Sequence, residues 1–284
     1  MMESKKELEK IELELLLEAI FRRYGYDFRH YAQASLKRRI AQCMQQAGVS
    51  RVADLIPPIL HDKGFFDDFL KFMSVTVTDM FRDPDFFATL RSQVIPVLKT
   101  YPFIKIWHAG CATGEEVYSL AILLKEEGLY ERTQIYATDY NNHSLAIARE
   151  GIYSLKQMQQ YSENYIRAGG RQSFSDYYHA KYGAAKIHDS LKANVTFANH
   201  NLANDGVFGE MQMVICRNVL IYFDQQLQDR VLTLLHDSLS PRGFLCLGNK
   251  ESLKFSAVQN CFENQDYAQR IFKRVRSRSS RIDP

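Results

Sequence analysis

Two adjacent carboxylates follow a glycine turn in the stretch "WHAGCATGEEVYSLAI", which begins at Trp107. Such a turn between an apolar run and a helical run ordinarily cradles phosphate on backbone amides, and a dinucleotide site needs the spacing GxGxxG. Here only Gly110 and Gly114 are present, and Glu115 and Glu116 stand in the first helical turn. Carboxylates at that place complement the helix dipole but repel a diphosphate. No GxxxxGKS or GxxxxGKT occurs elsewhere, so a P-loop is excluded too. A cofactor with positive charge and no phosphate removes the conflict. S-adenosylmethionine has a sulfonium, an amino group and a nucleoside, and its ribose calls for an acidic residue ending the next strand. "IYATD" supplies Asp139 there. Each carboxylate also has a bland reading. Thr113 and Glu116 have the spacing of a capping box, and Asp139 is also a common type of strand-ending turn residue.

A second constellation lies in "VTVTDMFRDPDFF", where Thr76, Thr78 and Arg82 are polar in an aromatic, apolar setting. A third, "CRNVLIYF", puts Arg217, Asn218 and Tyr222 just beyond a candidate strand. An arginine at a strand end is costly to bury without a carboxylate partner, which favours a functional reading.

These residues need elements to position them. From about residue 5 to 90 apolar residues such as Ile11, Leu15, Ile20 and Phe21 recur at helical spacing, which predicts a small helical bundle. One helix, "YAQASLKRRIAQCMQQAG", carries Leu36, Ile40 and Met44 on one stripe, places Lys37, Arg38 and Arg39 off it, and ends at Gly48. After Pro102 β-rich runs alternate with helical runs. The expected strands are "FIKIWHA", "TQIYATD", "NVTFANHN", "MQMVICRNV", "GFLCLGN" and "AQRIFKRV"; the expected helices run over 115–127, 143–150 and 225–239. Alternation of this kind predicts an open, mainly parallel α/β sheet with ligands at the carboxyl ends of its strands. Between Gly151 and Asn194 a Tyr- and Phe-rich segment is too long for a simple connection. It reads as an inserted helix plus an antiparallel hairpin, either a sheet edge for peptide addition or packing alone. The expected division is 1–88 helical and 89–284 α/β, with the insertion over about 152–193.

Composition bounds the setting. At 46% apolar the chain supports a real core, and five widely spaced cysteines with no CxxC pair suggest neither a disulfide framework nor a metal site. A charged N-terminus and the lack of any long apolar run predict a soluble, cytoplasmic protein. The net charge of +3 is too small to argue for nucleic acid, and the basic tail "RIFKRVRSRSSRIDP" reads first as a solvated end.

Together the motifs resemble the CheR-type chemoreceptor glutamate methyltransferases. The likeness runs over "TDMFRDP", "GCATGEE", "ATD", "GIY", "NHNL", "CRNVLIYFD" and "GFLCLGNKES", nearly the whole chain. It implies a helical N-terminal domain followed by a Rossmann-like S-adenosylmethionine-dependent methyltransferase domain with a small inserted antiparallel β-subdomain. It places cofactor contacts at Thr76, Thr78, Arg82, Gly110, Glu116, Asp139, Asn201, Leu202, Arg217 and Asn218, although the family often has Asn where this chain has Thr76. It implies that Lys37, Arg38 and Arg39 face a receptor's cytoplasmic helical bundle, that the β-subdomain is where a receptor C-terminal peptide would bind, and that the enzyme acts as a monomer.

The implied reaction carries a methyl group to a receptor glutamate, giving a methyl ester. A glutamate is already ionised at neutral pH, so positioning matters more than a base. Arg82 or Arg217 is expected to hold one acceptor oxygen and Tyr222 to steer the same group. Cys216 is expected to pack rather than react, since carboxyl methylation needs no covalent enzyme intermediate. Three other readings compete: a nucleic-acid methyltransferase, disfavoured by the absence of base-flipping motifs, a methyltransferase-like docking module without turnover, and a methyltransferase acting on a non-receptor acceptor.

Overall fold

The computed structural model describes residues 2–74 and 78–275, with side chains from residue 6 onward. Two compact units emerge, one of Met1–Val75 and Ile221–Arg230, the other of Thr76–Leu220 and Val231–Pro284.

The first unit holds α1 (Met2–Tyr24), α2 (Gln33–Ala47), α3 (Ile56–His61) and α4 (Lys63–Met73). On α1 the inward stripe is Leu13, Leu16, Leu17 and Ile20, whereas Ile11 and Leu15 are exposed. The residues chosen from periodicity were thus partly on the outer face. Helix α2 ends as expected at Gly48 in a left-handed cap (φ 68°), its N–H donating to the Gln45 carbonyl and that of Val49 to the Met44 carbonyl. Its buried stripe is Leu36, Arg39, Ile40 and Cys43. Segment 30–32 clasps the later chain: the Ala32 N–H donates to the Tyr222 carbonyl and the Asp224 N–H to the His30 carbonyl, both at 2.8 Å.

The second unit opens with α5 (Pro84–Thr89), which runs through a π turn into α6 (Ile95–Leu98). A seven-stranded sheet follows, built from β1 (Ile104–Ala109), β2 (Thr133–Asp139), β6 (Val195–Asn199), β7 (Met211–Cys216), β8 (Leu239–Leu247), β9 (Phe262–Asp266) and β10 (Ile271–Arg274), in the order β6-β2-β1-β7-β8-β10-β9. The first five pair in parallel, β10 runs antiparallel to β8, and β9 antiparallel to β10. The helices α7 (Glu115–Glu126), α8 (Asn142–Glu150) and α10 (Gln225–Asp237) fall where alternation put them. β1 and β7 read as apolar runs because both their faces are covered. β9, "FENQD", escaped sequence reading because an edge strand that is half exposed has no apolar alternation.

The insertion contains β3 (Ile152–Ser154), α9 (Leu155–Arg167), β4 (Tyr178–Lys181) and β5 (Ala184–Ile187), the strands forming a separate antiparallel sheet β3-β5-β4. Its hairpin turns at Tyr182 (φ 51°) and Gly183 (φ 76°), the two left-handed residues that a two-residue connection favours. Both readings of this segment have a physical basis. Tyr161, Tyr165, Phe174 and Tyr177 are buried, with Phe81 edge-on to Tyr165 and Phe174, while β4 is a mostly exposed edge strand.

Candidate active site

The carboxyl ends of β1, β2 and β7 bring the expected acidic and basic groups of the second unit together. Helix α7 starts at Glu115 behind a left-handed Gly114 (φ 92°). Thr113 therefore does not cap it. The Thr113 hydroxyl donates to Glu115 at 2.6 Å and Glu116 turns the other way, which rules out the capping box.

Glu116 instead accepts a 2.8 Å hydrogen bond from Arg217, whose other terminal nitrogen donates to Asp83 at 2.6 Å. The Arg217 side chain is fully out of water and its guanidinium lies over the Phe86 ring at 4.0 Å. Nε2 of the buried His108 is 3.2 Å from the second oxygen of Glu116. Burial alone would push the Glu116 carboxyl up, but Arg217, His108 and Arg82 together hold it at about 2. Glu115 has no cation at hand, and burial raises it to about 7 against the opposing pull of Thr113. Both terminal nitrogens of Arg217, one of the two arginines expected to hold an acceptor oxygen, serve the protein's own carboxylates. Thr78 and Arg82 sit half-buried in the preceding turn, and Thr76 lies outside the described residues.

That turn is built against local preference. Phe81 (φ 51°) and Asp83 (φ 55°) are both left-handed, a conformation rare for a bulky side chain. The Ser119 hydroxyl pins it from α7, accepting from the Phe81 N–H at 2.8 Å while donating to the Glu115 carbonyl. Asp83 is also the residue before helix α5, yet its carboxylate caps nothing and goes to Arg217.

Asp139 ends β2 as expected. One oxygen accepts from the Ala112 N–H at 3.0 Å and the other from the Asn141 N–H at 2.9 Å, so the residue holds the glycine turn in place. The Tyr140 N–H acts on the same carboxylate, which still leaves acceptor capacity for a ligand hydroxyl. The turn needs its glycine at Gly110 (φ 73°), where a Cβ would stand 2.5 Å from Val219. Beyond β6, the His200 N–H donates to the Asp139 carbonyl, which places Asn201 and the buried Leu202 beside this edge. The Asn201 side chain accepts from the Ala203 N–H at 3.0 Å. Asn218 is left-handed (φ 59°) and follows Arg217 directly. Cys216 is buried with its thiol pushed far up by desolvation, in keeping with a packing role.

Tyr222 groups with the helical unit, where the guanidinium of Arg39 lies 4.8 Å from its ring centre. Arg39 is 4% exposed and donates to the Met73 carbonyl. The expected basic trio is therefore corrected: Lys37 and Arg38 are exposed, but Arg39 lies on the inward stripe, one turn before Cys43. Sequence reasoning missed Asp83, His108 and Glu251. All three stand within the motifs, and for Asp83 the Asp-Pro pair also marks a helix start.

The polar capacity of the site suits a cationic, hydrogen-bonding ligand. Nδ1 of His108 and Nε of Arg217 are buried without a hydrogen-bond partner, and Oε1 of Glu116 has only the 3.2 Å approach of His108 Nε2. Among the described residues no cluster of metal ligands occurs, and no helix is long and apolar enough to cross a membrane.

Comparison with known proteins agrees. The model of the "CheR methyltransferase, SAM binding domain" matches residues 76–270 and that of the "CheR methyltransferase, all-alpha domain" residues 11–74. The chain is 56% identical over 264 residues to the protein named as methyltransferase Cher3 in Pseudomonas putida, covering 93% of this chain and 97% of that one. It is 32% identical to an uncharacterized 104.1 kDa protein of Rhodobacter capsulatus, covering 88% of this chain and 26% of that longer one. It is 30% identical to chemotaxis protein methyltransferase 1 of Pseudomonas aeruginosa, covering 78% of this chain and 82% of the relative.

Proposed function

The chain belongs to the CheR methyltransferase family, and from that premise we propose that it methylates glutamate side chains of chemoreceptors in the cytoplasm, forming methyl esters. The observation that carries the reading is Glu116. An ionised carboxylate, kept so by Arg217, occupies the first helical turn where a phosphate-bearing cofactor would need positive charge. Bound S-adenosylmethionine supplies a methyl group on a positively charged sulfur, which a carboxylate accepts to give an ester.

The residues that would hold it are Thr78, Arg82, Gly110, Glu116, Asp139, Asn201, Leu202, Arg217 and Asn218. Glu116 supplies negative charge and Asp139 lone pairs for hydroxyls. Arg217 holds Glu116 ionised and fixed, and Arg82, half-buried on the adjoining turn, orients the acceptor carboxylate. A carboxylate acceptor has a reference pKa of about 4.3, so no general base is needed and placement governs the rate. Lys37 and Arg38 supply an exposed basic surface for an acidic helical bundle, and the exposed edge of β4 can add a peptide strand from a receptor C-terminus. A monomer suffices for this work.

The test is transfer of labelled methyl from S-adenosylmethionine to cytoplasmic receptor fragments, followed by base treatment. Base-labile label on glutamate is expected. Tight binding of S-adenosylhomocysteine with no such label on any receptor fragment would instead mark a docking module.

A further inference from the structure

Glu251 stands at the end of "GFLCLGNKES", where residue type and spacing assigned it no chemical role, yet the residue is 4% exposed and its carboxylate faces the turn that bears Arg217. One oxygen accepts from the N–H groups of Val219 and Leu220, both at 2.8 Å. The other accepts from Asn218 at 3.0 Å and from Gly248, the residue after β8, at 2.5 Å. Three successive backbone amides converge on one carboxylate because Asn218 is left-handed, the geometry of an anion-binding nest. The protein fills that nest with its own charge. Burial raises the Glu251 carboxyl, and the backbone amides oppose it.

Two contacts link this clamp to the cofactor pocket. Val219, held by its amide, packs against Gly110 so closely that a Cβ there would lie 2.5 Å from Val219 Cγ2. Arg217, one residue before the clamped run, must reach Glu116 and Asp83 at once. Gly248 allows the close approach, since a Cβ on it would stand 2.8 Å from the Asn218 nitrogen.

We infer that Glu251 is a positioning residue for cofactor binding: its carboxylate fixes the 217–220 turn so that Arg217 meets Glu116 and Val219 closes over Gly110. The inference rests on the proposed methyltransferase reading of this site. Removing one charged acceptor leaves buried amides unpaired and lets the turn relax. The effect should appear in affinity for the cofactor product more than in docking of the protein acceptor.

The full-length chain and its Glu251→Gln and Glu251→Asp variants are compared by calorimetry with S-adenosylhomocysteine, by methylation kinetics on a receptor fragment, and by urea unfolding. Glu251→Gln is expected to weaken S-adenosylhomocysteine binding by about tenfold or more. KM for S-adenosylmethionine should rise in parallel while KM for the fragment stays within about twofold, and Glu251→Asp, which keeps the charge, should recover part of the loss. Binding by Glu251→Gln within about twofold of the parent overturns the inference, whatever the change in unfolding midpoint. If Glu251→Gln does not fold, Glu251→Asp is judged by the same affinity criterion; failure of both to fold assigns the carboxylate to the fold alone and also overturns it. A parent chain that does not bind S-adenosylhomocysteine would refute the methyltransferase reading itself, an outcome separate from these.

Discussion

Arg217 and Glu116, 101 residues apart in the chain, are joined by a 2.8 Å hydrogen bond out of reach of water. A buried ion pair is costly to break from one side because the remaining charge is stranded. Arg217→Ala should therefore destabilise the protein by about 3–5 kcal/mol, measured by urea unfolding. Arg217→Lys keeps the charge but cannot fork to two carboxylates, and should fall between. Wild-type stability in Arg217→Ala would contradict the burial and pairing described.

Glu116→Gln keeps an acceptor for Arg217, which also retains Asp83. Its cost to folding should be about 1–3 kcal/mol, whereas S-adenosylhomocysteine affinity should drop by about tenfold or more. Calorimetry beside unfolding separates the two effects. An unchanged affinity would remove Glu116 from the cofactor site.

Glu115 and Glu116 titrate in opposite senses, and the sign of each can be read in stability against pH. Glu116, lowered from 4.5 to about 2, contributes stability that is present above 4.5 and lost as pH falls through 2. Glu115, raised from 4.5 to about 7, contributes stability that is full below 4.5 and lost as pH rises through 7. Glu115→Gln should cancel the second loss, making the variant about 2–3 kcal/mol more stable relative to the parent at pH 8 than at pH 5. Urea unfolding at the two pH values checks this; parallel curves for parent and variant would show that Glu115 does not titrate in that window.

Lys37 and Arg38 should behave differently from their neighbour Arg39. Lys37→Glu with Arg38→Glu should raise KM for an acidic receptor fragment several-fold and change stability by no more than about 0.5 kcal/mol, as exposed substitutions do. Arg39→Ala should cost about 2–4 kcal/mol through the lost bond to the Met73 carbonyl and the lost Tyr222 contact. If Arg39→Ala melts with the parent, its inward placement is wrong.

Arg82→Ala should lower kcat/KM for the receptor fragment by about tenfold or more, the scale expected when a charge-assisted hydrogen bond to the acceptor is removed. Near-normal turnover with normal cofactor binding would end its assignment to the acceptor carboxylate.

Much of this protein is legible in local pattern. The alternation after Pro102 specifies a mainly parallel sheet, the apolar runs of β1 and β7 specify strands covered on both faces, and the glycine turn carries two glutamates where a phosphate site would need positive charge. Asp139 is readable because a strand end has a defined place in such a sheet. These features depend on residue type and short spacing, which the chain carries explicitly.

What tertiary structure decided is which charge meets which. Arg39 and Arg38 are adjacent in sequence, but helical rotation puts one inside and the other in water. Glu115 and Glu116 are equally adjacent, yet only Glu116 meets Arg217, and so only it stays ionised well below the usual carboxylate range. Asp83 and Glu251 come to Arg217 and its turn from 134 and about thirty residues away. Burial and Coulomb energy depend on distance in space, and sheet order and crossovers set that distance.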